Sequence, residues 1–160
     1  MANGAQTDPL VAFRFRVEID DLIEAGFAEC SGLQVETELQ EVREGGENAF
    51  LYKLPTGSKH VNLTLKRGIT DSEVLWNWHK DVVNGKVKRK IVYVVLFDSD
   101  GQETWRWSLR DAFPVKWLGP ELKADSSTVA IESLELAHHG FSEVKVTKRE
   151  RPNTAAGQNP

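Results

Sequence analysis

Apolar and polar residues alternate without a break from Phe13 to Ile19: Phe13, Phe15, Val17 and Ile19 interleave with Arg14, Arg16 and Glu18. A period of two puts one apolar face inward and one charged face outward, which predicts a half-buried β-strand. Val35, Thr37 and Leu39 alternate with Glu36, Glu38 and Gln40 and predict a second strand. Val42 then breaks the alternation, as a bulge or the strand's end. Val61, Leu63 and Leu65 alternate with Asn62, Thr64 and Lys66 and predict a third, closed by Arg67-Gly68. Ile91 to Phe97 is apolar throughout, the pattern of a strand covered on both faces. Ser99-Asp100-Gly101 marks a turn. Trp105, Trp107 and Leu109 alternate with Arg106, Ser108 and Arg110 on the return, so residues 91–109 read as a hairpin.

A helix interrupts the β pattern. Thr70 and Glu73 have capping-box spacing. Leu75, Trp78 and Val82 recur at i, i+3 and i+7, and Gly85 is a C-terminal stop. The spacing predicts a helix over 71–84 packed on a sheet, with Leu75 and Trp78 buried and Asn77 and Lys80 exposed. Residues 43–59 carry Gly45-Gly46 between opposite charges and then Lys53-Leu54-Pro55-Thr56-Gly57, and read as a long polar loop. Loops beyond roughly 12 residues in a compact domain are functional or disordered. The domain is expected to span 11–148. Residues 1–10 and 149–160, small, polar or rich in Pro, Asn, Gly and Ala, are expected to be flexible ends.

Composition narrows the class. A chain of 160 residues with 40% hydrophobic content fits one soluble domain with a sizeable core. No apolar run approaches the roughly 20 residues that span a bilayer, so direct membrane insertion of the monomer is not expected. Residues 1–12 lack a basic n-region and an apolar h-region. The single cysteine excludes an intramolecular disulfide and a Cys-rich metal site. Cytoplasmic synthesis and folding follow as the default. A net charge of −4 argues against a dedicated DNA binder.

Candidate chemistry is sparse. His138 and His139 are adjacent on a predicted strand, leave opposite faces, and do not chelate one ion together. His60 and His79 sit near a strand start and on the helix. Cys30 has no histidine paired with it by a recognisable motif. Gly45-Gly46 lacks the spacing of a phosphate loop. Glu36, Glu38 and Glu41 divide between two strand faces. These patterns predict no enzyme, no metal and no cofactor, and instead association through exposed surface and strand edges. A competing class is a nucleic-acid-binding β-barrel, suggested by Lys86, Lys88, Arg89 and Lys90 together with five tryptophans. Binding that falls steeply with salt, without rings or tubes, would mark it.

Ordered blocks along the chain add a resemblance. They are Gly26-Phe27-Ala28-Glu29-Cys30-Ser31-Gly32-Leu33, the stretch from Arg43 to Gly68, Leu75-Trp76-Asn77-Trp78, Asp111 to Trp117, Leu118-Gly119-Pro120 and Val129 to His138. From about Phe13 to Phe141 the chain resembles the inner-tube protein of T4-type contractile phage tails and related contractile injection systems. Cys30 departs from a usual β-branched apolar residue, and His139 from a usual acidic one. The resemblance implies a mainly β (α+β) protomer, an antiparallel β-sandwich or barrel of tail-tube type with one short packed helix. It implies homo-hexameric rings stacked head-to-tail, with strands of neighbours joined around a channel. The partners it implies are a sheath, a baseplate, tube-terminating proteins, and cargo protein or DNA in the lumen. A ring-forming secreted tube protein of a type VI-like system shares the architecture. Assembly in the cytoplasm would end in an extracellular particle, a membrane-attached machine or a virion tail.

By the same resemblance, Arg43, Glu44, Gly45, Gly46, Glu47, Asn48, Tyr52, Lys53, Leu54, Pro55 and Lys59 are expected at inter-subunit or ring-stacking contacts. Glu36, Glu38, Gln40, Asn62, Thr64 and Lys66 are expected to line the lumen. Val35, Leu39, Val61, Leu63 and Leu65 would then face the protomer core.

Overall fold

A computed structural model describes residues 10, 14–20, 26–43, 45–46 and 51–145. The expected flexible ends, apart from Leu10, lie outside the described residues, as do Phe13, Glu44, Glu47 and Asn48.

The element order is β1 (Phe15–Ile19), β2 (Glu29–Ser31), β3 (Val35–Val42), β4 (Tyr52–His60), β5 (Leu63–Gly68), α1 (Val74–Val83), β6 (Lys90–Phe97), β7 (Glu103–Leu118), β8 (Ile131–Ala137) and β9 (Phe141–Lys145). The main sheet runs β1-β6-β7-β8-β5-β2, with β9 also on β7, and its pairings are antiparallel. Strands β3 and β4 form a separate two-stranded sheet.

The 16-residue strand β7 joins the two halves of the main sheet. Its first half pairs with β6, Tyr93 opposite Ser108, and with β9, Trp107 opposite Glu143. Its second half pairs with β8, Trp117 opposite Leu134. Between the halves Asp111 adopts φ +52°, a left-handed conformation that Asp tolerates better than most residues. The register shifts again between Pro114 and Lys116. The neighbouring ladder jogs at the same level. The Arg110 N–H donates to the Gly140 carbonyl at 3.0 Å, and the His139 N–H donates to the Arg110 carbonyl at 2.9 Å. The fold is mainly β, with antiparallel sheets and one short helix, as expected. Among the described residues main-chain pairing ends at β1 on one side and β2 on the other, so of the expected sandwich or barrel the sheet is not closed as a barrel. Strand β2 is only three residues long, and the chain leaves it for β3 instead of extending the sheet.

One core unites these halves. Val17 and Ile19, Leu63 and Leu65, Val92 and Val94, Leu109 and Ala112, and Leu134 and Leu136 form a single buried cluster with Leu75 and Trp78 of the helix. Val95, on the opposite face of β6, is buried too, while Ile91 is exposed; only the middle of this apolar strand is covered on both faces. A buried ion pair borders the core. Arg67 Nε meets Glu132 Oε1 at 2.5 Å, and Trp117 Nε1 donates to Glu132 Oε2 at 3.0 Å. This network fastens β5, β8 and the second half of β7 together.

The helix begins later than the spacing predicts. Glu73 is its N-cap and makes no side-chain capping bond. Thr70 Oγ1 instead accepts from the Ser72 N–H at 3.3 Å, a local turn that competes with the capping box. The stop is as expected: Gly85 takes φ +84° and donates to the Val82 carbonyl at 3.0 Å. Leu75 and Trp78 are buried, and Asn77 and Lys80 are exposed. Trp78 Nε1 donates to the Lys88 carbonyl at 2.9 Å, and Trp76 packs edge-on against Trp117 with ring centroids 4.7 Å apart.

Trp78→Ala removes a buried ring and should destabilise the protein by roughly 3–5 kcal/mol. Denaturant unfolding measures this, and an unchanged midpoint would contradict the docking of α1.

Candidate assembly surface

From Tyr52 onward the expected loop over 43–59 is strand. Tyr52–His60 forms β4 and pairs with β3 from Val35 opposite His60 to Val42 opposite Tyr52. Pro55 and Gly57 read as loop residues, but the ribbon accommodates them because β4 is an edge and Thr56 bulges between them. Thr56 Oγ1 caps the bulge by donating to the Glu38 carbonyl at 3.1 Å. Gly32 sits at the root of the ribbon with φ +100°, and a Cβ there would lie 2.2 Å from the Asn62 carbonyl oxygen. Only glycine permits this approach of two backbones.

Register assigns the faces. Val35, Thr37, Leu39 and Glu41 share one face with His60, Ser58, Pro55 and Lys53. Glu36, Glu38, Gln40 and Val42 share the other with Lys59, Gly57, Leu54 and Tyr52. Neither face packs on the core. Val35 and Leu39, expected inside, are 55% and 54% exposed, and Leu54 is 50% exposed. Their alternation is real, but β3 belongs to an arm and not to the sheet over the core. Val61, also expected inside, is exposed because the chain breaks between β4 and β5 there.

Of the expected contact residues, Tyr52, Lys53, Leu54, Pro55 and Lys59 lie on this arm, and Arg43, Gly45 and Gly46 are exposed toward its tip. The lumen set splits between two surfaces. Glu36, Glu38 and Gln40 share one arm face. Thr64 and Lys66 lie on the outer face of β5, alternating with the buried Leu63 and Leu65. Neighbours hold that outer face: Lys66 meets Glu29 at 3.2 Å, and Asn62 Nδ2 donates to Glu135 at 2.8 Å. Sequence reasoning passed over a second apolar surface, where exposed Leu118, Val129 and Ile131 rim a groove beside Lys66 and Lys123.

Several other polar groups that the sequence singles out have structural partners, although His60 Nδ1 and His79 Nδ1 are buried without one. His138 meets the Val61 carbonyl at 2.9 Å, whereas His139 meets Asp111 at 3.2 Å, so the adjacent histidines diverge. In the basic run, Lys88 lies 3.7 Å from Asp81 and Arg89 stacks over Phe113 at 4.8 Å. Arg106 bridges Glu103 at 2.6 Å and Glu18 at 3.2 Å, and its hydrogen bond holds the Glu103 carboxyl below the usual range. Cys30 packs against the core, and burial pushes its thiol up to about 11. Among the described residues no helix is long and apolar enough to cross a membrane.

An open sheet with an arm that lacks a core of its own defines a protomer built for association. The family model of the T4-like virus tail tube protein gp19 matches residues 11–142, and the chain belongs to that family. Its function is that of a structural subunit of the tail tube of contractile injection systems. A chain in the anti-feeding prophage (AFP) baseplate is 27% identical, with a TM-score of 0.78 over 87% of this chain and 97% of that one. A chain in the PVC sheath-tube complex, an extracellular contractile injection system in its extended state, is 26% identical, with a TM-score of 0.77 over 86% and 93%. Hcp1 from Flavobacterium johnsoniae shares the fold at 14% identity, with a TM-score of 0.52 over 84% and 97%. No curated protein matches the sequence.

A thiol held near 11 is almost wholly protonated at neutral pH, and only thiolate reacts. Alkylation of Cys30 at about pH 8 should therefore run roughly two orders of magnitude slower than that of an ordinary cysteine, whose value is about 8.5. Its rate should climb about tenfold per pH unit and level off only above about pH 11, where an ordinary cysteine has long since reached its plateau, and thiol-labelling kinetics measure this.

Proposed function

We propose that six copies close into a ring, that rings stack into a tube, and that the β3–β4 arm is the element that grips a neighbouring copy. The exposure of both arm faces carries this reading. An isolated two-stranded ribbon is marginal in water, and its exposed Val35, Leu39 and Leu54 gain stability only when another surface covers them. Arg43, Tyr52, Lys53, Leu54, Pro55 and Lys59 then make contacts between subunits. Gly45 and Gly46, exposed toward the arm's tip, belong to the same contact set, as do Glu44, Glu47 and Asn48, which lie outside the described residues. Six-fold symmetry in the AFP baseplate supports the ring. The sheath-tube complex and the sheath/tube terminator that hold similar chains support a sheath, a baseplate and a terminating protein as partners. Head-to-tail stacking leaves a tube open at both ends, so another component sets its length.

In this arrangement Glu36, Glu38, Gln40, Asn62, Thr64 and Lys66 face the channel. A polar lining of both charge signs lets protein or DNA cargo pass without strong adhesion. The role is structural, not enzymatic. Assembly takes place in the cytoplasm, and the finished particle acts outside the cell or at an envelope.

Val35→Glu with Leu39→Glu tests the arm. Surface changes of this kind usually move stability by about 0.5 kcal/mol or less, so the protomer should stay folded with a nearly unchanged melting temperature. Negative-stain microscopy should show that tubes are lost. Replacing residues 44–50 by a Gly-Ser linker should likewise abolish stacking. Tubes of normal length from both variants would sink the reading.

A further inference from the structure

The arm joins the body at a pair of histidines. His60 ends β4 and His138 follows β8, and their rings meet edge to face with centroids 5.7 Å apart. Phe141, the first residue of β9, packs against both, at 5.5 Å from His60 and 6.3 Å from His138.

The His138 ring is committed on both nitrogens. The Gly140 N–H donates to Nδ1 at 3.1 Å, so Nδ1 carries no proton. Nε2 therefore carries it, and donates to the carbonyl of Val61, the residue directly after β4, at 2.9 Å. Only the neutral Nε2–H tautomer makes both bonds. A second proton, on Nδ1, would set donor against donor at Gly140. This breaks the bond that holds the ring under the arm's exit.

His60 has no better place for a charge. Its Nδ1 is buried without a hydrogen-bond partner, and a Cβ on Gly140 would lie 3.2 Å from its Nε2. The charged groups around the joint do not compensate. From β7, the Arg110 guanidinium lies beside Gly140 and donates to the His139 carbonyl at 3.4 Å. Asp111 is engaged by His139 at 3.2 Å, His139 also touches Arg89 at 3.2 Å, and Glu135 is held by Asn62. A cationic ring at either position thus faces another imidazole and a guanidinium.

We infer that the His60–His138 contact is a pH-dependent hinge: neutral rings clamp the β3–β4 arm to the body, and acidification releases it. Imidazole is the side chain whose charge changes between about pH 5 and 8. The inference concerns the junction within one chain and does not rest on the proposed tube contacts.

Hydrogen–deuterium exchange on the full-length protein tests it, with rates corrected for the intrinsic effect of pH and particle size followed by light scattering. From about pH 7.5 to about pH 5.5, exchange across β3 and β4 should accelerate by about tenfold while β6 is unchanged, as expected of a local opening. His60→Gln with His138→Gln, whose amides do not titrate, should abolish the acceleration. Equal rates at both pH values, the same acid response in the variant, or acceleration only where particle size has fallen would overturn the hinge. A readout without substitutions is the nitrogen-15 spectrum of the histidines near neutral pH. His138 should appear as the Nε2–H tautomer, and the Nδ1–H form would overturn the assignment.

Discussion

Main-chain hydrogen bonding along β7 is the constraint on which the rest of the structure depends. The strand serves β6 and β9 with its first half and β8 with its second, so β1, β6 and β9 reach β8, β5 and β2 through it. Such a strand must bend without losing its partners. Asp111 provides the bend with a left-handed backbone, and the break between β8 and β9 at His138–Gly140 falls opposite. Two irregularities at the same level keep the ladder continuous, with Arg110 bonded to both His139 and Gly140. The two halves thereby bury their apolar faces in one core, which the Arg67–Glu132–Trp117 network closes at one side. Removing one partner of a buried pair generally costs far more than the pair contributes, because the remaining charge stays desolvated.

The arm obeys the opposite logic. Its strands bond to each other, but its side chains find no core within the protomer. Local pairing fixes its register, while in the proposed assembly a neighbouring copy supplies its cover. Its β4 edge is blunted by Pro55 and the Thr56 bulge, features that prevent indiscriminate strand pairing. Strand β3 has neither a proline nor a glycine along its eight residues. The ribbon is thus asymmetric, with one edge open to ordered association and the other guarded.

Tight packing sits where the chain crosses from body to arm. Gly32 lies against the Asn62 carbonyl on one side of the crossing, and His138 holds the Val61 carbonyl on the other. A rigid body and a projecting arm are joined by a few backbone contacts, which suits a subunit that must meet several neighbours at fixed angles.

The sequence by itself determined the elements whose two faces differ. Strands β1, β5 and the first half of β7 follow from alternation, and the buried pair Leu75 and Trp78 follows from helical spacing, because solvent and core impose opposite demands along these segments; β6 follows from its unbroken apolar run. Ordered motifs also carried the family, which the match over residues 11–142 shows. Only the tertiary structure decided what period alone leaves open. Leu39 and Leu63 sit in similar alternations, yet one is exposed on an arm and the other buried, since period two states that faces differ and not what covers them. Pro55 and Gly57 hid β4, because a ribbon edge accepts residues that a central strand rejects. The Arg67–Glu132 pair and the His60–His138 contact bring together residues separated by 65 and 78 positions (132 − 67 and 138 − 60). Such contacts are set by strand order and register, which no local pattern encodes.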